Sequence, residues 1–214
     1  MTQVPEKTIG RLSLYRRLLA EEMGRGTRNL YSHELARLAG VTPAQVRRDL
    51  MVVGYNGTPT RGYGVAELTG GISALLDAPR TQGLALVGVG NLGRAVLAHF
   101  AGRHPNLSFV AAFDTDPAKM DRVVHGCRCH AMADLAHVVE REDIRAAVIA
   151  VPAEQAQEAA DQLVAAGITS ILNFAPTSLR VPAGVYVEHN DLTTSIERVA
   201  FFARARANSK ELVQ

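Results

Sequence analysis

The sequence predicts an α/β fold in two parts: a small N-terminal winged-helix (helix-turn-helix) domain and a C-terminal Rossmann-type doubly wound parallel sheet. Apolar residues recur at helical spacing through the first third of the chain, whereas apolar runs typical of strands alternate with helical segments after Gly83. The length of 214 residues suits one or two domains. Pro79 and Gly83 mark a linker. We therefore place the divisions at 1–79, 80–190 and 191–214, the last being a terminal helix.

Composition sets broad limits on the class of protein. The net charge of +2 and the pI near 8.7 permit an anionic partner without requiring one. Cys127 and Cys129 are too close for an unstrained disulfide and too few for a zinc site, so we expect two thiols and no metal. Neither a secretory signal nor a membrane-spanning apolar run is visible, which predicts a cytoplasmic protein with no membrane partner.

Three helices are predicted in the head, over Thr8–Met23, Ser32–Ala39 and Ala44–Val53. Ser32 is the expected N-cap of the second helix and Thr42 that of the third. The second and third helices are joined by a short turn that contains glycine, which is the pattern of a helix-turn-helix.

The third helix carries the residue types that read DNA. Gln45, Arg47 and Arg48 lie on its polar face, and in such motifs this helix enters the major groove, where Arg pairs with guanine and Gln with adenine. Asn56-Gly57 then predicts the turn of a hairpin wing, from which Arg61 can reach a minor groove. The alternative is a solvated helix face on a dimerisation module. The excess of arginines over acidic residues in the head favours DNA.

The segment Gly88-Val89-Gly90-Asn91-Leu92-Gly93 lies between an apolar strand, Leu84–Val87, and a helix, Asn91–Ala101. This is the order of a dinucleotide-binding turn. Gly88 permits a sharp turn, Gly90 lets the backbone approach a pyrophosphate, and Gly93 lets the helix pack close to the strand. The amides at the start of the helix attract phosphates. A purely structural turn is the alternative.

Other strand ends are predicted to meet this turn. A second strand, Ser108–Phe113, ends at Asp114, where such folds place the acid that accepts ribose hydroxyls and favours NAD(H) over NADP(H) or CoA. Val151-Pro152 and Asn173 also lie at the ends of predicted strands; Asn173 either bonds the carboxamide or ribose, or belongs to a strand-ending turn. The remaining predicted elements are strands Arg128–His130, Ala146–Val151, Ser170–Asn173 and Val185–Glu188 and helices Leu68–Leu76, Met132–Val139, Ala153–Ala166 and Asp191–Ala207.

The sequence does not predict an enzyme. Its histidines are scattered, and the head is too small to serve as a substrate domain. Two other classes remain open: a small NAD(P)H-dependent oxidoreductase with a helical dimerisation head, and a CoA-binding module. The terminal helix has apolar residues on more than one face, so it packs either on its own body or on a partner subunit.

The order of motifs resembles the Rex family of redox-sensing transcriptional repressors. The motifs are the winged helix, Gly88–Gly93, Phe113-Asp114, Asn173-Phe174-Ala175-Pro176 and Val187-Glu188 with Asp191-Leu192. The resemblance implies a homodimer with NAD(H) as its cofactor. Such a dimer binds palindromic, double-stranded operator DNA when NAD+ prevails and releases it when NADH binds. It also implies that the C-terminal helix is swapped between subunits.

The resemblance further assigns a switch to Arg17 and Asp191, which it pairs in the DNA-competent form. In the NADH form the family's Asp turns to a Tyr near the nicotinamide. Here that position holds His99, so the phenol is missing; His99 can still bond Asp191 and, being titratable, can make the switch sensitive to pH. The wing also departs from the family pattern, with what looks like an insertion around Gly57–Tyr63.

Overall fold

In a computed structural model, residues 4–58, 60–104 and 106–211 are described, with side chains as far as 204. The chain divides into two compact units, 1–79 and 80–214. None of the helices in the described ranges combines the length and apolar content that a bilayer-spanning segment needs.

The first unit, the head, contains four helices and a two-stranded antiparallel ribbon. Its elements are α1 (Glu6–Gly24), β1 (Asn29–Leu30), α2 (Ser32–Ala39), α3 (Pro43–Val53), β2 (Tyr63–Gly64) and α4 (Val65–Leu76). The apolar positions at helical spacing form one core, because Leu12 and Leu19 of α1 pack with Leu50 of α3 and Leu68 of α4, all fully buried. The predicted helix-turn-helix is therefore present as α2 and α3.

Two local predictions in the head are wrong. Ser32 is not the N-cap of α2: that position is Tyr31, whose N–H donates to Glu34 at 2.7 Å. The wing does not turn at Asn56-Gly57, because Thr58 and Gly62 exchange backbone hydrogen bonds of 2.8 Å and the reversal lies between them. Thr42 does cap α3, since its hydroxyl accepts the Gln45 N–H at 3.1 Å.

The second unit, the body, is a seven-stranded sheet with helices on both faces. Its elements are β3 (Gln82–Val87), α5 (Asn91–Phe100), β4 (Leu107–Asp114), β5 (Val123–Val124), β6 (Cys127–Ala131), α6 (Leu135–Arg141), β7 (Ala146–Ile149), α7 (Ala153–Ala165), β8 (Ser170–Asn173), β9 (Tyr186–His189) and α8 (Leu192–Glu211). The strand order is β5-β6-β4-β3-β7-β8-β9, and every neighbouring pair except β5 and β6 is parallel. The doubly wound parallel sheet is confirmed; the short β5 was not predicted.

Side chains alternate between the two faces of the sheet along each strand, so each face has its own core. On one face, Val87, Phe113 and Ile149 pack in a core that includes buried residues of α6 and α7. On the other face, Leu86 and Ala112 pack with Leu97 of α5. The two cysteines are free and buried on β6, and burial raises the pKa of the Cys127 thiol to about 12, which keeps it protonated and unreactive.

Candidate functional site

The three glycines of the turn between β3 and α5 differ in how much space a side chain would have. Gly88 has φ +96°, and a Cβ there would lie 2.6 Å from the Ala150 carbonyl oxygen. A Cβ on Gly93 would collide with the Gly88 carbonyl oxygen. Around Gly90, by contrast, no described atom lies within 4 Å of such a Cβ. The fold itself therefore requires glycine at positions 88 and 93, whereas the backbone at Gly90 is open on its Cβ side.

Some backbone amides at this turn have hydrogen-bond partners within the protein, and others lie where the helix offers them no acceptor. The first hydrogen bond within α5 runs from the Arg94 N–H to the Gly90 carbonyl at 3.0 Å, so Asn91 and Leu92 lie in the first turn, where amides have no intrahelical acceptor. Val89 was predicted to contact the cofactor, and its backbone amide already has a partner within the protein. The Val89 N–H donates to the Asp114 carboxylate at 2.8 Å, and the residue is buried.

Asp114 ends β4 beside the glycine turn, with 8 % of its surface exposed. Besides the Val89 N–H, its carboxylate accepts the Asp116 N–H at 2.9 Å and the Lys119 ammonium at 3.0 Å. Burial alone would raise the pKa of Asp114, but these donors together lower it. Asp114 is therefore an anion at neutral pH, held in place before any ligand arrives.

A cavity of about 560 Å³ joins these residues at the carboxyl edge of the sheet. It brings together Gly88, Gly90, Asp114, Val151 and Pro152, which are five of the residues predicted to bind the cofactor. Because the carboxyl ends of β3, β4 and β7 meet here, this is the crevice in which a doubly wound sheet binds its ligand.

Several lining residues were missed by the sequence analysis. Met132 follows β6, and Gln155, Glu158 and Gln162 lie on the face of α7 that borders the cavity. Lys119 lies five residues after Asp114, and the presence of a cation so close in the chain to the predicted ribose acid was the one available signal.

Asn173 was predicted either to bond a cofactor carboxamide or ribose or to belong to a strand-ending turn. The side chain is 0 % exposed. Its amide nitrogen donates to the carbonyls of Ala175 and Thr177 at 3.2 and 2.8 Å, and its oxygen accepts the Ala175 N–H at 3.0 Å. The same nitrogen lies 3.2 Å from His189 Nδ1. These contacts show that Asn173 orders the turn after β8, and its contact with a cofactor stays a prediction.

A second concavity, which we call the sheet groove, opens beside α5 with a volume of about 510 Å³. Leu84, Ala146, Ser170 and Tyr186 form one row across β3, β7, β8 and β9, and all four line the groove. The same face continues two residues along at Val148, Leu172 and Glu188. Part of the sheet face that α5 packs on is therefore left uncovered by the described helices of the body.

The helix α8 presents an apolar surface that the described chain does not cover. Ile196, Val199 and Phe202 are 68 %, 71 % and 58 % exposed. Asp191 precedes the helix and accepts the N–H groups of Thr193 and Thr194 at 2.8 and 3.2 Å, which is the bonding of an N-cap. These bonds, with that of the Thr194 hydroxyl foremost, lower the pKa of Asp191.

The predicted switch residues occupy three separate elements. His99 lies exposed near the end of α5 and lines the sheet groove, with its ring 5.6 Å from that of Phe100. Arg17 is exposed on α1. Asp191 precedes α8.

The recognition helix α3 exposes Arg47 and Arg48 as predicted. The Arg47 guanidinium donates to the Ser32 hydroxyl at 3.1 Å, so the residue expected to cap α2 instead steadies an arginine of α3. Gln45 is less available than predicted, because its amide nitrogen donates to Asp49 at 2.9 Å. Reading adenine with both amide atoms would require that bond to break.

Asp49 is the buried centre of a polar cluster that joins α1 to α3. Besides Gln45, it accepts two hydrogen bonds from Arg11, at 2.6 and 2.7 Å, and one from the Tyr15 hydroxyl at 2.9 Å. No sequence pattern pointed to this cluster, because its members lie far apart in the chain.

Arg61 lies exposed at the tip of the wing. Its N–H donates to the Thr58 hydroxyl at 3.3 Å, and the neighbouring Thr60 carbonyl accepts the Tyr31 hydroxyl at 2.8 Å. Tyr31 precedes α2, so the wing tip is tied to the start of the helix-turn-helix and Arg61 is held on the same side of the head.

A basic helix-turn-helix joined to a nucleotide-binding sheet, with one acid at the predicted ribose position, defines a class: DNA-binding proteins that respond to a nucleotide ligand.

Family models match both parts of the chain. Residues 3–50 match "Putative DNA-binding protein N-terminus" and residues 80–177 match "CoA binding domain". A redox-sensing transcriptional repressor Rex of Latilactobacillus sakei is 38 % identical over 199 residues, covering 93 % of this chain and 96 % of the relative. One of Rhodopirellula baltica is 41 % identical over 193 residues, covering 90 % and 81 %.

Solved structures of a Rex-family repressor are also similar to this chain. The Rex-family repressor RSP, in complex with β-NAD+ and operator DNA, has a TM-score of 0.88 at 30 % identity and covers 99 % of this chain and 98 % of its own. Its complex with β-NADH has a TM-score of 0.85 at 29 % identity and covers 99 % and 100 %. The chain belongs to the Rex family of redox-sensing transcriptional repressors. The resemblance found in the sequence is confirmed, and the oxidoreductase alternative is not favoured.

Proposed function

We propose that this chain binds operator DNA through its head and NAD(H) through its body, and that NADH weakens its hold on DNA. One observation carries the proposal: Asp114 and the open backbone at Gly90 line the same cavity, so the groups suited to a ribose and a pyrophosphate lie side by side. The named relatives are redox-sensing repressors, and RSP has been crystallised with NAD+, NADH and operator DNA.

The residues of the cavity fit a dinucleotide. The amides of Asn91 and Leu92 and the bare backbone at Gly90 suit the pyrophosphate, because a helix N-terminus attracts negative charge. Asp114 is charged and suits ribose hydroxyls. Val151 and Pro152 border the cavity where β7 ends. NAD(H) would supply the redox signal, because its oxidised nicotinamide carries a positive charge that the reduced ring lacks.

DNA binding is assigned to Arg47 and Arg48 of α3 and to Arg61 of the wing. All three are exposed, and the Arg61 backbone N–H donates to the Thr58 hydroxyl in the wing. Arg47 and Arg48 suit the edges of guanines and nearby phosphates in the major groove, whereas Arg61 suits the minor groove. A palindromic operator has two half-sites and needs two heads, so the DNA-binding form is a homodimer.

The dimer is proposed to form through α8, which would lie in the sheet groove of a second copy. The exposed apolar face of α8 matches the uncovered apolar rows of the sheet. Charge also matches, because Glu188 lies at the groove and Arg198 is exposed on α8. Asp191 would then begin the exchanged helix and pair with Arg17 in the DNA-bound form, while His99 takes the place of the family's tyrosine.

The dimer interface is tested by changing Phe202. Phe202→Glu places a charge on the apolar face of α8 and is expected to give a monomer in size-exclusion chromatography with light scattering. Val123→Glu is a matched control, because Val123 is 68 % exposed on the edge strand β5 and should leave the dimer intact. A dimeric Phe202→Glu variant would overturn the assignment of this interface.

Ligand identity is tested by binding rather than turnover. The full-length protein is titrated with NADH, followed by nicotinamide fluorescence, and competed with NAD+ and CoA. We expect NADH to bind and NAD+ to compete, and CoA to compete poorly because Asp114 and Asp116 repel its ribose phosphate. CoA is included because the model matching residues 80–177 carries that name. Tight CoA binding without NADH binding would favour a CoA-binding module instead.

A further inference from the structure

Lys119 occupies an unusual position beside the ribose acid. It ends the short 3-10 helix Pro117–Lys119, and its ammonium lies 3.0 Å from Asp114 Oδ2 and 3.8 Å from Asp116 Oδ2. The side chain lines the same cavity as Gly88 and Gly90. Among the described residues that line this cavity, it is the one cation beside the carboxylates of Asp114, Asp116 and Glu158.

The hydrogen bonds of Asp114 leave little room for two ribose hydroxyls. A carboxylate offers about four acceptor positions. Three are taken by the Val89 N–H, the Asp116 N–H and the Lys119 ammonium, two of these on Oδ2. One hydroxyl can therefore donate to Asp114 without displacing an existing partner, and the second needs another group.

Lys119 has the chemistry that the second hydroxyl needs. An ammonium carries three N–H donors, of which one is directed at Asp114. A ribose hydroxyl oxygen accepts as well as donates, so it can receive a further Lys119 N–H. The same ammonium would offset part of the repulsion that Asp114 and Asp116 exert on a 2′-phosphate.

We propose that Lys119 is a second ribose ligand, which donates to the adenosine 2′-oxygen of the cofactor and sets how strongly the site discriminates between NADH and NADPH. This rests on the proposed function, because it requires a dinucleotide in the cavity. Asp114 excludes the 2′-phosphate, and Lys119 moderates that exclusion. The preference for NADH is thus the result of two opposed charges 3.0 Å apart.

The test compares dissociation constants of NADH and NADPH for the full-length protein and two variants. Lys119→Met removes the charge and keeps the length of the side chain; Lys119→Arg keeps the charge. We expect Lys119→Met to weaken NADH binding about tenfold, since a charge-assisted hydrogen bond is lost, and to weaken NADPH binding about tenfold more. Lys119→Arg should keep the ratio near that of the wild type. Arg145→Met is the control, because Arg145 is exposed next to the amino end of β7, outside the cavity lining.

An analogue separates a direct contact from support of Asp114. With 2′-deoxy-adenosine NADH, the wild type and Lys119→Met should bind equally, because the oxygen that Lys119 contacts is absent. The assignment is overturned if Lys119→Met leaves the NADPH to NADH ratio within about twofold of the wild type, or if the variant still loses affinity for the deoxy analogue. Failure of the wild type to bind NADH at all would instead overturn the proposed function itself.

Discussion

The guanidinium of Arg11 and the carboxylate of Asp49 form two hydrogen bonds, of 2.6 and 2.7 Å, that join the first helix of the head to the recognition helix. Asp49 is 2 % exposed, whereas the Arg11 side chain is 24 % exposed. An anion this well enclosed depends on its partners, because an unpaired buried charge is costly. This pair therefore helps to orient α3, and with it Arg47 and Arg48, together with the apolar core around Leu50.

Asp49→Asn should lower the free energy of unfolding of the head by about 2–3 kcal/mol, because it leaves Arg11 without its partner anion while keeping the shape of the side chain. Four of the five tyrosines lie in the head, so tyrosine fluorescence during urea unfolding follows this unit. Asp77→Asn is the matched control: its bond to Arg16 is also 2.6 Å long but more exposed, and its loss should cost less than about 1 kcal/mol. Equal losses in the two variants would contradict a special role for Asp49.

The same variant gives a pH test. Burial would raise the pKa of Asp49, but hydrogen bonds from Arg11, Gln45 and Tyr15 lower it below its ordinary value of 3.8. A lowered folded pKa means that the stabilisation is complete above the unfolded pKa and is lost as the pH falls through the folded one. The melting temperature of the head should therefore fall between about pH 5 and pH 3, and less steeply in Asp49→Asn. Parallel slopes in both proteins would rule out this linkage.

The second and third glycines of the turn should respond differently to substitution by alanine. Gly90→Ala meets no described atom within 4 Å and should keep the stability of the body, yet weaken NADH binding by at least about tenfold, because the methyl group occupies space needed by the pyrophosphate. Gly93→Ala collides with the Gly88 carbonyl and should lower the melting temperature of the body. Calorimetry and NADH titration of both variants separate the effects. Normal NADH affinity in Gly90→Ala would mean that the pyrophosphate lies elsewhere.

Arg47→Ala should weaken binding to a specific palindrome by about 1–3 kcal/mol if Arg47 contacts a base. Loss of its bond to Ser32 adds little, because both groups are exposed to water. Fluorescence anisotropy with labelled operator DNA measures the change, and Arg145→Ala on the body serves as the control. If the variant binds the palindrome as tightly as the wild type, Arg47 takes no part in sequence readout.

Asp191→Asn should uncouple NADH from DNA release without removing the cap of α8, because Asn caps a helix about as well as Asp. The charge needed to pair with Arg17 is lost, whereas the hydrogen bonds to Thr193 and Thr194 can remain. Asp191→Ala loses both functions and shows the contribution of the cap by difference. The quantity compared is the NADH concentration that releases half of the bound operator. An Asp191→Asn protein that releases DNA at the wild-type concentration would show that the switch lies elsewhere.

The features predictable from the sequence were those set by local pattern. Gly88, Gly93 and Asp114 follow strands at fixed spacings that are visible in the sequence, although the atoms next to Gly88 and Asp114 belong to Ala150 and Val89, which lie far away in the chain. Thr42 with Pro43 likewise fixed the start of α3. These signals are local because backbone conformation and capping involve only a few consecutive residues.

What could not be predicted depends on hydrogen bonds that no residue pattern indicates, even between residues close in the chain. Asn173 ends a strand at the ligand-binding edge, and only its bonds to Ala175 and Thr177 show that its amide is already used. The wing turned after Thr58 because backbone pairing with Gly62, rather than the Asn56-Gly57 signal, set the reversal. No periodic residue pattern predicts the bond between Lys119 and Asp114, because Asp114 ends a strand and Lys119 belongs to a separate 3-10 helix.

The central claim is that NADH and operator DNA oppose each other on this protein. The direct measurement is the dissociation constant of the full-length protein for a palindromic operator, without cofactor, with saturating NAD+ and with saturating NADH at fixed salt. The account predicts that NADH weakens operator binding by roughly 5–150-fold, the usual range of allosteric coupling, and that NAD+ weakens it far less. Equal operator affinity with saturating NADH and NAD+, in a protein that demonstrably binds both, would contradict it.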